Sequence, residues 1–65
     1  MTASVDHIAV ERAVNGHPPA RLTIAERAAA VMRLTDRGVS TAVIAERLRI
    51  TTRTVRRIRR REVAG

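Results

Sequence analysis

RITTRTVRRIRRR, residues 49 to 61, holds seven arginines and no acidic residue, yet keeps Val55 and Ile58 among them. A run that served only as a soluble surface would mix in glutamates, and a disordered basic tail would have no use for the two aliphatics. Helical arithmetic separates the readings. At about 100° per residue, with Thr52 as zero, Val55 falls at about 300° and Ile58 at about 240°. Arg56, Arg60, Arg53 and Arg57 fall at about 40°, 80°, 100° and 140°, an arc opposite the aliphatic pair, with Arg59 and Arg61 flanking it. Unrelieved like charge at i, i+4 destabilises a helix, so a merely solvated face is a poor account of this order. The run is expected to be a helix with a docked face and a cationic face.

Charge placement extends the argument to the whole chain. Residues 1 to 46 hold five arginines (12, 21, 27, 33, 37) against five acids (6, 11, 26, 36, 46) and are neutral. Residues 47 to 65 hold eight arginines against Glu62, so the entire +7 lies there. A balanced body with one strongly positive end points to a polyanionic partner. The absence of lysine fits a GC-rich genome, such as that of an actinobacterium or its phage, but does not explain where the charge sits. With 65 residues, no cysteine and no aromatic residue, any core must be small and aliphatic. Chains of this size bury only about 60% of their unfolded surface. Such a core suits short close-packed helices better than a sheet, which leans on β-branched and aromatic pairs. The longest apolar run, Ala28 to Met32, is about four times too short for a bilayer. The start MTASVDHIAVERAV shows no secretion signal, so a cytoplasmic protein without membrane contact is expected.

Start and stop signals divide the chain into four segments. Ser4 is positioned to cap a helix from about Val5 to Asn15, with His7, Glu11 and Asn15 as a polar stripe and Val5, Ile8, Ala9 and Ala13 elsewhere. Left-handed residues at Asn15-Gly16 would end it, and Pro18-Pro19 forbids continuation. TIAE, residues 23 to 26, has the form of a capping box. From Ile24, the residues Ala28, Val31, Met32 and Thr35 return to one side until Gly38 closes the helix. Ser40 caps a third segment in which Ile44, Ala45 and Leu48 share a face, with Val43 pointing away. Thr51 caps the last, from about Thr52 to Glu62. The predicted fold class is all-α: three helices containing a helix-turn-helix (about 40–62), plus an N-terminal helix (about 5–15). The whole chain, 1–65, reads as a single domain, with residues 1–21 as helix and connector and 22–62 as the tri-helical core.

The segment IAERLRITTRTVRRI, residues 44 to 58, resembles the helix-turn-helix DNA-binding motif. It has an Ile-Ala pair, a Leu three residues after the Ala, Ile50 in the turn, then Val55 and Ile58 three apart. Ala45 lets two steeply crossing helices approach. The longer stretch AVMRLTDRGVSTAVIAERLRITTRTVRRI looks like the modules of LuxR-type and homeodomain-like bacterial regulators, over about residues 22–61. Arg49 departs from the family, which usually places Gly at this turn position, where φ is often positive. LuxR-type modules also carry a further dimerisation helix, which is not expected here.

That resemblance implies a second helix, 52–61, lying in the major groove of double-stranded DNA. Carried over, Thr52, Arg53, Arg56 and Arg57 are the base-reading candidates, and arginine favours guanine edges. Ser40, Thr41, Arg49, Thr51, Arg60 and Arg61 are the phosphate candidates. The implied function is that of a small transcriptional regulator, with a homodimer as one mode of binding. Two alternatives stand beside it: an arginine-rich RNA binder, and an interaction module for RNA polymerase or a host regulator through residues 4–16. Catalysis, a cofactor and a metal are not expected: His7 and His17 lie ten apart with no cysteine, and Ser4, Ser40 and Thr23 are cap residues with no base at a useful spacing.

Overall fold

The computed structural model describes residues 6–64 and contains four helices among them: α1 (His7–Val14), α2 (Ile24–Asp36), α3 (Thr41–Leu48) and α4 (Thr52–Ala64). The all-α expectation and the order of elements hold. Ser4 and Val5 lie outside the described residues, and the cap of α1 is Asp6. Its carboxylate accepts the N–H groups of Ile8 and Ala9 at 3.0 and 3.3 Å. At the other end Gly16 alone is left-handed (φ 87), whereas Asn15 keeps φ −84, so one residue rather than the expected pair makes the exit. Helix α4 continues two residues past Glu62, to Ala64.

The capping box of α2 is formed in both directions. The Thr23 hydroxyl accepts the Glu26 N–H at 3.0 Å, and Glu26 Oε1 accepts the Thr23 N–H at 3.0 Å. The second oxygen of the same carboxylate accepts the Asp6 N–H at 2.8 Å, so one buried side chain ties the starts of two helices together. The Thr23 N–H, then the Asp6 N–H, then the Thr23 hydroxyl hold this carboxyl below its ordinary pKa, against the opposing effect of burial. Further along, Glu11 pairs with Arg33 at 2.6 Å. With Asp6 beside Glu26 and Glu11 beside Arg33, α1 and α2 advance in the same sense, and residues 15–23 carry the chain back between them.

The core is wholly aliphatic. Val10, Val14, Val31, Leu34, Ile44 and Val55 are its largest fully buried side chains, with Ala13, Ala28, Ala30, Ala45, Leu48 and Ile58 around them. The polar stripe expected of α1, His7, Glu11 and Asn15, is exposed, and the single apolar stripe expected of α2 is corrected. In α1 the inward face is Ala9, Val10, Ala13 and Val14, and Ile8 stands in solvent. In α2, Ala28 and Val31 are inside as expected, but Ile24 is 70% exposed and Leu34 and Ala30 are fully buried. The reason is geometric: α2 is touched by α1, α3 and α4. Its buried arc, from Glu26 through Ala30, Leu34 and Val31 to Ala28, therefore spans about 200°; Ile24 falls within that arc by angle, between Val31 and Ala28, but is the first residue of the helix and stays exposed.

Candidate nucleic-acid interface

Helix α3 begins at Ser40, whose hydroxyl accepts the Val43 N–H at 3.3 Å. Its face of Ile44, Ala45 and Leu48 is buried, and Val43, 38% exposed, lies off that face. The helix ends at Arg49, which adopts the left-handed conformation (φ 57, ψ 42) and is the one non-glycine residue with positive φ among those described. A residue with a Cβ in this region is strained by about 1–2 kcal/mol. The conformation lets the Ile50 N–H reach back to the Ala45 carbonyl at 2.9 Å, closing α3 and aiming the chain into α4. Thr51 then caps α4: its hydroxyl accepts the Thr54 N–H at 3.1 Å and bonds the Thr54 hydroxyl at 2.9 Å.

Along α4 the chain sorts as the helical arithmetic requires. Val55 is 0% and Ile58 4% exposed, both inside the core. Thr52, Arg53, Arg56, Arg57, Arg60 and Arg61 are all exposed. Arg53, Arg56, Arg57 and Arg60 together line a shallow hollow on the outer surface, so the predicted arc is one contiguous cationic face. Among the described residues the ion pair is Glu11–Arg33, on the opposite helices, and no arginine of α4 has a carboxylate partner. The first turn of α4 holds no acid either. A helix of this length carrying uncompensated charge presents a strong positive potential along a single side.

The remaining predicted positions gather near the N-terminal ends of α3 and α4 or further along α4. Ser40, Arg49 and Thr51 are exposed, and Thr41 is half-buried at the first turn of α3. Arg60 and Arg61 lie further along α4, Arg60 within the hollow.

Arg59 behaves differently from its neighbours. Sequence order makes it a flank of the cationic arc, but the structure turns it inward. Its Nε–H donates to Thr35 Oγ1 at 2.9 Å and its Nη1 to Thr41 Oγ1 at 2.6 Å. The signal for this was its position, about 40° beyond Val55 on the docked side; its two acceptors lie far away in sequence and carry no local mark.

A short helix closed by a left-handed residue, followed by a docked helix with an exposed polar face, is the geometry of a helix-turn-helix. A family model for homeodomain-like domains matches residues 21–65. The chain belongs to the homeodomain-like domain family. It is thus a helix-turn-helix module of the DNA-binding kind, with α2, α3 and α4 as the three helices of the matched region and α1 lying outside it. Comparison with curated proteins and with solved structures finds no match. No helix among the described residues is long and apolar enough to cross a membrane.

Proposed function

We propose that this protein binds double-stranded DNA sequence-specifically as a small transcriptional regulator, with α4 lying in the major groove. The observation that carries the reading is the cationic face of Arg53, Arg56, Arg57 and Arg60, exposed, contiguous and without carboxylate partners, directly opposite the buried Val55 and Ile58. Thr52, Arg53, Arg56 and Arg57, nearest the start of the helix, read base edges, and arginine's fork matches guanine O6 and N7. Ser40, Thr41, Arg49, Thr51, Arg60 and Arg61 hold phosphates on either side. Within the homeodomain-like family we place the chain with the LuxR-type regulators, on the residue pattern of 22–61, and in the nucleoid of a GC-rich actinobacterium or its phage. One copy presents one α4 and covers one half-site, so paired copies on paired half-sites are expected.

Selection of bound fragments from random duplexes at two salt concentrations tests this. The expected result is an enriched guanine-containing motif, bound with a log–log salt slope of about −5 if about six phosphates are neutralised. Arg56→Ala should relax preference at one position. Equal binding to all duplexes, or a stronger preference for structured RNA, would overturn the reading.

A further inference from the structure

Aliphatic contacts are non-directional. Val55 and Ile58 hold α4 against the core, but two small side chains do little to define its rotation about its own axis. Side-chain ends lie about 5–6 Å from a helix axis, so a roll of about 20° moves a guanidinium by about 2 Å. A bidentate contact tolerates far less, since its donor–acceptor distances must stay within about 2.7–3.2 Å. Something directional must therefore fix the roll.

Arg59 is placed to do so. It sits beside Val55 on the docked side and is half-buried. Its guanidinium reaches Thr35 in the last turns of α2 and Thr41 in the first turn of α3, at 2.9 and 2.6 Å. The Thr35 hydroxyl spends its own proton on the Val31 carbonyl at 2.8 Å, which leaves its lone pairs pointing outward to accept from Arg59. The acceptor is thus oriented by α2 itself, and the second acceptor belongs to a different helix. Two anchors on two helices, met by one planar group, oppose rotation of α4 in both senses. The other arginines of α4 donate to no protein acceptor within the described residues; Arg59 donates to two.

We propose that Arg59 is a positioning residue: through Thr35 and Thr41 it sets the roll of α4, and thereby the sequence preference of Arg53, Arg56 and Arg57. This rests on the groove-reading function given above. It separates two arginine roles in one run, since Arg59 acts on the protein and its neighbours act on DNA.

Removing the acceptors rather than the arginine leaves every charge in place. Thr35→Val and Thr41→Val, singly and together, are compared with Thr35→Ser and Thr41→Ser, which keep the hydroxyls. The measured quantity is the ratio of affinities for the selected duplex and for a scrambled one, at one salt concentration and at a temperature where circular dichroism shows each variant fully folded. The double valine variant should lose about tenfold in this ratio, the scale of one bidentate base contact. In Thr35→Val, which touches no residue of the base-reading or phosphate sets, the affinity for scrambled DNA and the salt slope should stay put while the ratio falls, and the serine variants should retain the wild-type ratio. In the free protein the Arg59 Nε–H resonance should be dispersed and slow to exchange, and should collapse toward the solvent-exposed position in Thr35→Val. A ratio unchanged within twofold in the double valine variant overturns the positioning role while leaving DNA reading intact. A wild-type ratio near one removes DNA reading itself, and this inference with it.

Discussion

Replacing Arg49 by glycine should move stability and DNA affinity in opposite directions. Arg49 holds φ 57 and ψ 42 at the end of α3, where its side chain is exposed and its backbone N–H donates to the Glu46 carbonyl at 3.2 Å. Glycine keeps that bond and removes a strain of about 1–2 kcal/mol. Against this, glycine frees the unfolded chain, at a cost of about 0.4–1 kcal/mol. The balance is a net stabilisation of about 0.5–1 kcal/mol, or a rise in Tm of about 2–8 °C for a chain of this size. If the guanidinium also meets a phosphate, its loss lowers the magnitude of the log–log salt slope by about 0.9 and weakens binding alike on all sequences. Arg49→Ala separates the two effects, because it keeps the backbone strain while removing the charge: its Tm should stay near wild type and its salt slope should fall as the glycine variant's does. Thermal circular dichroism and fluorescence anisotropy across a salt series read both quantities. A lower Tm for Arg49→Gly would refute the strain argument, and an unchanged slope in both variants would remove Arg49 from the phosphate set.

Two further outcomes follow from the core and from the shared cap. Ile58→Ala should cost about 2–5 kcal/mol, comparable to the whole stability of about 3–5 kcal/mol that such a small core supplies. The free variant should therefore lose most of its helical circular dichroism at room temperature and regain part of it with excess cognate duplex; a Tm within 2 °C of wild type, roughly the scatter of such measurements, would contradict the docked face. Glu26, whose pKa is depressed in the fold, contributes stability that is present above its ordinary value of 4.5 and is lost as the pH falls through the lower folded-state value. Glu26→Gln keeps one acceptor oxygen and sets an NH2 donor against the other N–H, so it should lower the Tm at neutral pH by about 4–8 °C, as expected for losing one helix-start contact of about 1 kcal/mol, and should flatten the fall in Tm below pH 4.5; an unchanged acid limb would place that dependence on other carboxyls.

What could be read from sequence and what could not divide along one line. Features decided within a few residues were legible: the box at Thr23 and Glu26, the exit at Gly38, the cap at Ser40, and the two-sided order of residues 52–61. Arg49 stood out because a resemblance supplied the glycine it replaces, and its backbone shows why that position prefers one. Features decided by more than one neighbour were not legible. A stripe at helical spacing assumes a single partner, but α2 has three, so its buried arc widens to take in Ala30 and Leu34, while Ile24, inside that arc but at the first residue of the helix, stays exposed. The second oxygen of Glu26 finds Asp6 twenty residues away, and Arg59 finds Thr35 and Thr41 at separations of 24 and 18. Polar contacts of that range leave no periodicity to detect, because any threonine or glutamate serves equally well locally.

Helix α4, taken alone, is a poor helix. The pairs Arg53–Arg57, Arg56–Arg60 and Arg57–Arg61 set like charges at i, i+4, each unfavourable by about 0.2–0.5 kcal/mol, and Arg53 sits at the positive end of the helix dipole with no acid in the first turn. Three contributions oppose this: the Thr51 cap, the burial of Val55 and Ile58, and the two bonds of Arg59. Glutamates interleaved on the outer face would have relieved the repulsion at no cost to the core, since Val55 and Ile58 occupy the other side. Retaining only arginine there makes sense when the counter-charge comes from outside the chain. A polyanion along that face would neutralise the same pairs that weaken the free helix, so binding and folding share one electrostatic term. Arg59 is the exception that fits the proposed scheme: its partners are hydroxyls within the protein, so it is not among the cations left open to an external anion.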